Sequence, residues 1–479
     1  MKKRKLILIT NAILIVLFVV SCKKIPETLE HTQKPNILLI CVDDLRPELK
    51  SYGAEYISSP NIDALSQEGV SFQKHFVNAP SCGPSRYTLL TGQYGLATND
   101  ALFQRASKIV KGEIVSPSMP EWFKTHGYTT VSVGKVSHHP GGRGGKDWND
   151  STIIEIPNAW DKHIMPVAEW EHPRGSMHGL ANGEIRIKSS DMDVFQTVEG
   201  DDNIYPDGAI TDEAVKQLKA LSMNDEKPFF LAVGIIKPHL PFGAPKSYFD
   251  RYEGVQLPAI EHPQKPEGKT TWHNSNEYKQ YNRWEKDPNK NPAFADEIRR
   301  HYAACVSYVD AQVGKVLAEL KRTGADKNTI VVLWGDHGWH LGEHAIWGKH
   351  SLFEESLHSP MIIHYPGMNR KGSKTDAIVE TLDIFPTLCD LTGVEIPKFT
   401  QGVSLRKILE KPNTTGHPAI SYFKDVSTIR TATHRLSLHE DGFVELYDHR
   451  TVENETKNIA GQYPEIVEDL KLMLSSKLK

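Results

Sequence analysis

Three aspartates follow apolar runs that are typical of buried parallel strands. Asp43 and Asp44 come directly after the run at 36–42, and Asp336 follows the run at 329–333. Paired acids at such positions are often helix caps or solvated groups, but the third carboxylate on a second strand favours a metal site. Carboxylates that crowd together repel each other unless a hard cation lies among them. Oxygen ligands favour Ca²⁺, with Mg²⁺ as the second choice, so the sequence predicts one divalent cation per chain.

The most specific pattern in the chain is Cys-Gly-Pro-Ser-Arg at residues 82–86, followed by Leu-Thr-Gly at 90–92. The alternative interpretation is a turn with a buried thiol. In a chain of this length, four specified residue types within five positions arise by chance in fewer than about one chain in a hundred. The run resembles the signature of type I sulfatases, in which a maturation enzyme oxidises the cysteine to formylglycine. The resemblance implies this modification at Cys82, and nothing in the spacing alone predicts it.

Four further segments resemble the branch of this family that contains iduronate-2-sulfatase. They are residues 42–49, 134–138, 237–242 and 336–351. The segment Glu-Leu-Tyr-Asp at 445–448 also resembles the usual sulfatase ending, so the likeness spans roughly residues 34–460. The resemblance implies an alkaline-phosphatase-like α/β sandwich and the hydrolysis of sulfate esters.

The resemblance also implies which residues form the site. The implied catalytic residues are Cys82, Arg86, Lys135, His138, His239 and Lys349, and the implied metal ligands are Asp43, Asp44, Cys82, Asp336 and His337. His337 departs from the commoner sulfatase pattern, which has Asn there, although the iduronate branch shares the histidine. His138, rather than the adjacent His139, is assigned by counting from Gly134 and Lys135.

The roles of these residues follow from the mechanism that the resemblance implies. Hydrated formylglycine attacks sulfur, and the metal makes its hydroxyl more acidic. Lys135 and Lys349 bind the sulfate oxygens as point charges, and Arg86 contacts the hydrated aldehyde. His239, with Lys349 nearby, protonates the departing sugar oxygen. His138 removes the proton from the second hydroxyl so that sulfate is expelled.

Strand-like and helix-like segments alternate along residues 35–415, the predicted catalytic domain. Besides the two runs already named, apolar runs occur at 129–133, 229–233 and 361–364, and residues 294–320 keep a helical period. Such alternation predicts a large, mostly parallel sheet flanked by helices. Ligands bind beyond the carboxyl ends of such strands. The polar clusters at 43–44, 134–135, 237–239 and 336–337 should therefore converge on one edge of the sheet.

A change of pattern near residue 420 predicts a small C-terminal subdomain at residues 416–479. Short strand-like segments at 430–439 and 442–447 are followed by an amphipathic helix at 464–478. These segments predict a short antiparallel sheet and a helix. The long polar segments 141–205 and 257–293 are predicted to be loops on the rim of a cleft.

The first residues are typical of a bacterial lipoprotein signal peptide. Basic residues at 2–5 precede an apolar stretch at 6–20, which is short for a membrane span. The ending Val-Val-Ser-Cys resembles a lipobox, so cleavage after residue 21 and a lipid on Cys22 are predicted, with residues 22–34 as a tether. An uncleaved anchor is the alternative. The prediction is a lipid-anchored protein of the bacterial cell envelope, in the periplasm or at the cell surface.

The charge composition argues against a nucleic-acid binder. The chain has 56 Lys and Arg against 60 Asp and Glu, a net charge of -4, and no long basic block. The predicted partners are instead a sulfated oligosaccharide or polysaccharide, the formylglycine-generating enzyme and the membrane. The five cysteines support no disulfide framework, because Cys22 is assigned to the lipid and the others lie in apolar or helical segments or in the signature.

Other functions and substrates remain open from the sequence alone. A phosphatase on the same scaffold would typically hold two metals and a Ser or Thr nucleophile, and only one metal set is visible. A non-catalytic sulfated-glycan-binding lipoprotein would have no use for Cys82. The iduronate branch implies a 2-O-sulfated uronic acid of glycosaminoglycans as substrate. Algal polysaccharides with sulfated rhamnose or uronate are the alternative.

Overall fold

The computed structural model describes residues 34–144, 150, 152–185, 188–224, 226–273 and 275–478. The predicted signal peptide and residues 22–33 of the predicted tether lie outside this set. Within it, helix length and apolarity nowhere reach what a membrane crossing requires.

In the part of the chain that the structure describes, the strands form one eight-stranded sheet, one four-stranded sheet and two short pairs. In chain order they are β1 (Asn36–Val42), β2 (Val70–Phe76), β3 (Thr129–Gly134), β4 (Lys162–Ile164), β5 (Phe195–Val198), β6 (Phe229–Ile235), β7 (Phe242–Pro245), β8 (Thr329–Gly335), β9 (His340–Leu341), β10 (Trp347–Gly348), β11 (Met361–His364), β12 (Ser373–Glu380), β13 (Ala419–Phe423), β14 (Val426–Arg430), β15 (His434–His439) and β16 (Val444–Asp448). The large sheet has the order β12-β2-β11-β8-β1-β6-β3-β4.

Helices lie between these strands along most of the chain. They are α1 (Pro60–Glu68), α2 (Cys82–Thr91), α3 (Ala101–Val110), α4 (Met119–Thr125), α5 (Pro173–Met177), α6 (Pro206–Ser222), α7 (Lys246–Phe249), α8 (Asn276–Gln280), α9 (Pro292–Arg322), α10 (Glu354–Leu357), α11 (Ile384–Thr392), α12 (Arg406–Glu410) and α13 (Pro464–Lys477). The longest, α9, covers the predicted helix 294–320 and begins where the Asn291 side chain accepts a hydrogen bond from the Phe294 amide.

The predicted α/β fold is confirmed by the pairing of the large sheet. Only β11 runs antiparallel to its neighbours, and every other pairing in this sheet is parallel. Strand β1 lies in the middle, with Ile40 opposite Val233 of β6 and Leu333 of β8. A continuous apolar run suits this position, because helices cover a parallel sheet on both faces.

Successive residues of β1 pack into two different cores. Leu38 and Ile40 belong to the core on the face covered by α9 and α6, whereas Ile37 and Leu39 belong to the core on the face covered by α4 and α11. Both faces of the strand are therefore buried in apolar surroundings, and polar functional groups can be placed only at its carboxyl end.

The C-terminal part contains the predicted antiparallel sheet, with the order β13-β14-β15-β16. The predicted strand-like segment at 430–439 is not one strand. Arg430 is the last residue of β14, and β15 begins at His434. In the turn between them, the Thr431 hydroxyl donates to the His434 carbonyl and accepts from the His434 amide. Helix α13 packs its Val467, Leu470 and Leu474 on one face of this sheet. The domain boundary at 415–416 stays a prediction.

Candidate active site

The four predicted polar clusters meet at one edge of the large sheet. Strands β8, β1, β6 and β3 are neighbours in that order, and each is followed directly or within a few residues by one cluster. Asp43, Lys135, His239 and Asp336 come from four different strand ends, and all four side chains are buried. This convergence confirms the placement predicted from the strand pattern.

The backbone turns sharply where β1 ends. Asp44 has a φ of +55°, a left-handed conformation that costs a residue other than glycine about 1–2 kcal/mol. Two hydrogen bonds hold this conformation: the Asp44 amide donates to Asp336 Oδ1 at 2.9 Å, and the Tyr302 hydroxyl donates to the Asp44 carbonyl at 2.8 Å. The turn places two successive carboxylates on the same side of the sheet edge.

The Cys-Gly-Pro-Ser-Arg motif forms the first turn of α2, with Cys82 as its first residue. Pro84 fits here because the first turn of a helix needs no hydrogen bond from its amide position. The Ser85 hydroxyl donates to the Asp336 carbonyl at 2.5 Å. The motif is therefore fastened to the end of β8, and the partial positive charge of the helix N-terminus lies at position 82.

The Arg86 guanidinium is directed towards the acidic residues behind position 82. Its Nε donates to Asp336 Oδ2 at 3.0 Å and its Nη2 to Asp43 Oδ1 at 3.2 Å, while Nη1 donates to the carbonyls of Lys135 and Val136. The guanidinium is fully buried. Its nitrogens donate to the carboxylates and the backbone behind them, so Arg86 holds the acidic residues in place. Its contact with a hydrated aldehyde at position 82 stays a prediction.

The Cys82 thiol lies between the cationic and acidic residues of the site. Its Sγ is 3.3 Å from Lys349 Nζ, 3.9 Å from Lys135 Nζ and 3.3 Å from His337 Nε2. Burial raises the pKa of this thiol well above its ordinary range, and the Asp43 charge raises it further. An unmodified Cys82 would therefore remain a neutral thiol, which is a poor nucleophile.

The predicted metal ligands fit a divalent cation. Ligand atoms of Asp43, Cys82, Asp336 and His337 all lie within 4.8 Å of one another, and so do those of a second set in which Asp44 and His239 accompany Asp43 and Cys82. The Asp44 Oδ2 atom is buried and accepts no hydrogen bond from the described residues. A buried carboxylate oxygen without a donor is costly, and a bound cation would satisfy it.

His337 is oriented to contribute a nitrogen to the same centre. Its Nδ1 lies 3.0 Å from the Gly338 carbonyl, so this nitrogen carries the proton and Nε2 is left as an acceptor. That Nε2 lies 3.3 Å from Asp44 Oδ1 and 3.6 Å from Asp336 Oδ1. A backbone carbonyl that fixes the tautomer is the usual support of a metal-binding histidine.

The acidic residues are strongly coupled to one another and to nearby cations. Burial and the negative charge of Asp43 raise the pKa of Asp336. Burial also opposes ionisation of Asp43, but Lys135, His239 and Arg86 together hold its pKa well below the ordinary value. The nearby cations therefore stabilise the charge of Asp43 more than that of Asp336, and a divalent cation among the carboxylates would favour the ionised form of both.

Two lysines provide positive charge beside position 82. Lys135 forms an ion pair with Asp43 Oδ2, and Lys349 Nζ lies 2.8 Å from Asp44 Oδ1. Burial lowers the pKa of Lys349, but the charges of Asp44 and Glu277 raise it to well above the ordinary value. Both ammonium groups therefore remain charged and can bind the oxygens of an anionic substrate.

Two predicted histidines line the cavity next to position 82. The Nδ1 of His239 lies 2.6 Å from the Leu240 carbonyl, which directs Nε2 towards the cavity. Burial, together with His139 and Lys135, lowers the pKa of His138 well below its ordinary value, so its imidazole is neutral. The adjacent His139 is turned away and contacts the buried carboxylate of Glu155. This geometry favours His138 over His139 as the residue that faces the substrate.

A cavity of about 450 Å³ opens above these groups. The predicted rim segments do contribute to it, since His178 comes from 141–205 and helix α8 from 257–293. Besides His178, the lining residues are Ser81, Cys82, Asn99, His138, His239, His273, Asn276, Glu277, Gln280, Lys349, His350, Phe423 and Lys424. The site is therefore a cleft that is rich in basic and imidazole side chains.

Glu277 is a residue of the site that the sequence did not reveal. Its Oε1 lies 3.3 Å from His239 Nε2 and its Oε2 lies 3.3 Å from Lys349 Nζ. Burial opposes its ionisation, but Lys349 and His239 hold its pKa well below the ordinary value. A single acid in a polar segment without periodicity gives no sequence signal, so only the fold could bring it to the site.

Comparisons with known proteins agree with this geometry. A family model described as Sulfatase matches residues 35–394, and one described as N-sulphoglucosamine sulphohydrolase, C-terminal, matches residues 342–479. A sulfatase of Formosa agariphila is 30% identical over 93% of this chain and 87% of its own length. Iduronate 2-sulfatase of Homo sapiens is 32% identical over 76% of this chain and 70% of its own length.

A solved structure supports the fold in the same way. It is described as a complex with its substrate D-glucosamine-2-N,6-O-disulfate, and it superimposes with a TM-score of 0.70 at 21% identity over 93% of this chain and 97% of that one. The family model covers most of the chain, and the signature cysteine, the carboxylates and the basic residues lie together in one cleft. The chain therefore belongs to the type I sulfatase family, whose members hydrolyse sulfate esters.

Proposed function

We propose that this sulfatase, which acts on sulfated saccharides, removes the 2-O-sulfate of a uronic acid in glycosaminoglycan fragments. The observation that carries the proposal is the 32% identity with human iduronate 2-sulfatase over three-quarters of the chain. His337 supports the proposal, because the iduronate branch shares this uncommon histidine. Its Nε2 faces Asp44 and Asp336, as a further metal ligand would.

We further propose that position 82 is converted to formylglycine and that the acidic cluster holds Ca²⁺, with Mg²⁺ as the second choice. When present, the hydrated aldehyde supplies a hydroxyl nucleophile, and the cation supplies positive charge that makes this hydroxyl more acidic. The type I family uses both. The formylglycine-generating enzyme is thus a required partner of this chain.

The side chains around position 82 account for binding and proton transfer. Lys135 and Lys349 bind the sulfate oxygens, and their charge stabilises the negative charge that shifts between these oxygens during displacement. His239 is held by the Leu240 carbonyl so that Nε2 faces the cavity, where it can donate a proton to the departing sugar oxygen. His138 is neutral and accepts the proton whose removal lets sulfate leave.

Exchange of His239 for alanine tests the proton donor. For a sulfated sugar, His239→Ala is expected to lower kcat/KM by about 10²–10⁴-fold, because an alkoxide is a poor leaving group without a proton. For an aryl sulfate the loss should be much smaller, since a phenolate departs unaided. His138→Ala should slow both substrate types alike. Steady-state kinetics on the two substrates measures these effects.

A matched control for this comparison is His126→Ala, which removes a histidine outside the cavity and should leave both activities unchanged. Equal losses on sugar and aryl sulfates in His239→Ala would show that His239 is not the acid, even though the protein remains a sulfatase.

A panel of defined sulfated saccharides tests the proposed substrate. It would contain disaccharides with a 2-O-sulfated uronic acid, disaccharides with a 6-O-sulfated glucosamine, and oligosaccharides with sulfated rhamnose from algal polysaccharides. Sulfate release from the first group at the highest kcat/KM is expected. Preference for the algal group would replace the substrate assignment. Binding to all groups without sulfate release would instead support a non-catalytic glycan-binding lipoprotein.

We also propose that the mature protein is anchored to the bacterial cell envelope through a lipid on Cys22. The support is the sequence of residues 1–22, with basic residues, an apolar stretch and a lipobox-like ending. Labelling of growing cells with radioactive palmitate should mark the wild-type protein and not Cys22→Ser. Equal label in both proteins, or label in neither, would contradict lipid attachment at this residue.

A further inference from the structure

The C-terminal sheet reaches into the active-site cleft through a single hairpin. Strands β13 and β14 are joined by Lys424 and Asp425, and Phe423 is paired with Val426 at the end of the ladder. Phe423 and Lys424 both line the cavity that contains Cys82. The remainder of the cavity lining comes from residues 81–350. The hairpin tip therefore closes one side of the cleft from a different sheet.

Phe423 forms part of an aromatic cluster at this side of the cleft. Its ring stacks with His273 at a centroid distance of 5.6 Å and with His350 at 5.7 Å, and both pairs are tilted by only about 25°. The His350 amide donates to the Pro80 carbonyl, two residues before Cys82. The ring is half-buried and is held by these contacts at the cavity wall, where its exposed part offers an apolar surface to a sugar.

Lys424 differs in its surroundings from Lys349, the other lysine in the described lining of the cavity. Lys349 is paired with Asp44 and Glu277, whereas Lys424 forms no ion pair or hydrogen bond with any residue that the structure describes. Its side chain is exposed, and its Nζ lies 5.3 Å from the centroid of the Phe423 ring. This ammonium group is therefore free to bind an anion from solution.

The backbone at Lys424 is strained in a way that fixes its position. Its φ of +54° is left-handed, a conformation that glycine or asparagine adopts more readily than lysine. A two-residue hairpin loop requires a positive φ at its first residue, so the turn itself accounts for this conformation. Here the paired strands on both sides of the turn hold the lysine at the tip of the hairpin.

The charges of the cleft leave this lysine available to a substrate. Glu277 is the one carboxylate in the described lining of the cavity, and its two oxygens face His239 and Lys349. Lys135 and Lys349 lie beside Cys82 and serve the sulfate that is hydrolysed. A second, separate cation at the mouth of the cleft suits a substrate that carries a second negative group.

We propose that Phe423 and Lys424 form a second subsite, at which the sugar packs on the ring and the ammonium group binds an anionic group other than the sulfate that is removed. This inference rests on the proposed function and makes the substrate a saccharide with at least two negative charges. The second group can be the carboxylate of the same uronic acid or a sulfate on the neighbouring sugar, since both present anionic oxygens.

Kinetics on a charged and an uncharged substrate test the subsite. With a heparin disaccharide that carries a 2-O-sulfated uronic acid and an N-sulfated glucosamine, Lys424→Ala is expected to raise KM about fivefold and Lys424→Glu about tenfold or more. The kcat should change by less than about twofold, because Lys424 would bind a group that takes no part in the reaction. An aryl sulfate should give wild-type kinetics with both variants.

Three controls define the result. Lys424→Arg should keep the wild-type KM, and Lys407→Ala removes an exposed lysine outside the cavity and should also have no effect. Phe423→Leu should raise KM for the disaccharide. An unchanged KM in Lys424→Ala, or an equal rise of KM with the aryl sulfate, would overturn the subsite.

Two modified disaccharides identify the bound group. One has its carboxylate reduced to an alcohol, and the other has an N-acetyl group in place of the N-sulfate. The modification that abolishes the difference between wild type and Lys424→Ala removes the group that Lys424 binds. A constant difference across both modifications would contradict a specific anion contact.

Inhibition of aryl sulfate turnover separates this inference from the proposed function. A disaccharide that inhibits the wild type about fivefold more strongly than Lys424→Ala but is not hydrolysed supports the subsite and refutes the proposed substrate. Hydrolysis of the disaccharide without any effect of Lys424 refutes the subsite alone. Absence of both inhibition and hydrolysis refutes both.

Discussion

The variant Cys82→Ala is expected to lose turnover of every sulfate ester while keeping its fold. The loss in kcat should be at least about 10⁴-fold, which is typical when a nucleophile is removed. The fold should persist because Arg86 and Lys135 hold the acidic residues without help from position 82. Kinetics and thermal unfolding of the purified variant measure the two effects. Cys389→Ala is the matched control, since it removes another buried thiol far from the cleft.

Mass spectrometry of the peptide spanning residues 81–86 examines the modification itself. The wild-type protein should contain the aldehyde at position 82, and its fraction should follow the specific activity of each preparation. A raised pKa keeps the unmodified thiol neutral, so activity without the aldehyde would need another nucleophile. Fully active protein with only the thiol at this position would refute the mechanism.

The sequence predicted the centre of the fold better than its borders. The run at 36–42 is apolar throughout because both faces of β1 are buried, and its end is polar because the sheet edge is open. Strands β2 and β12 were not predicted. Gln73 and Lys74 interrupt the apolar pattern of β2, where the residues are only partly buried. Partly exposed strands lack the continuous run by which the central strands can be recognised.

The same difference applies to the site. Motif residues such as Asp43 and Asp336 could be placed because each follows a recognisable strand. The direction of the Arg86 side chain could not be predicted, because its partner Asp336 is 250 residues away in the sequence. Only the pairing of β1 with β8 brings Asp43 and Asp336 together. Glu277 and Lys424 belong to a rim segment and a hairpin tip, and neither has a local pattern that indicates a cleft.

The second large effect is expected from Asp336→Asn. Asp336 accepts hydrogen bonds from the Asp44 amide and from Arg86, so its carboxylate both faces the acidic cluster and fixes the groups around it. Asparagine keeps one oxygen but removes a negative charge and directs an amide donor towards other donors. Activity should fall by about 100-fold or more, and the affinity for the divalent cation should fall with it.

Elemental analysis and thermal unfolding measure these changes directly. The wild type should contain one divalent cation per chain, most simply Ca²⁺ for a site dominated by carboxylate oxygens. Chelation should lower its Tm, because a ligand that binds only the native state stabilises that state. The Tm of Asp336→Asn should respond much less to chelation. Asp376→Asn removes an exposed acid outside the cavity and should behave as the wild type.

The metal count also decides between the two enzyme classes that this scaffold serves. One cation per chain, lost in Asp336→Asn together with sulfatase activity, is expected because the two ligand sets at the end of β1 share Asp43 and Cys82. Two cations per chain with full activity on phosphate esters would instead identify a phosphatase, and would contradict the proposed roles of Cys82 as nucleophile and His337 as metal ligand.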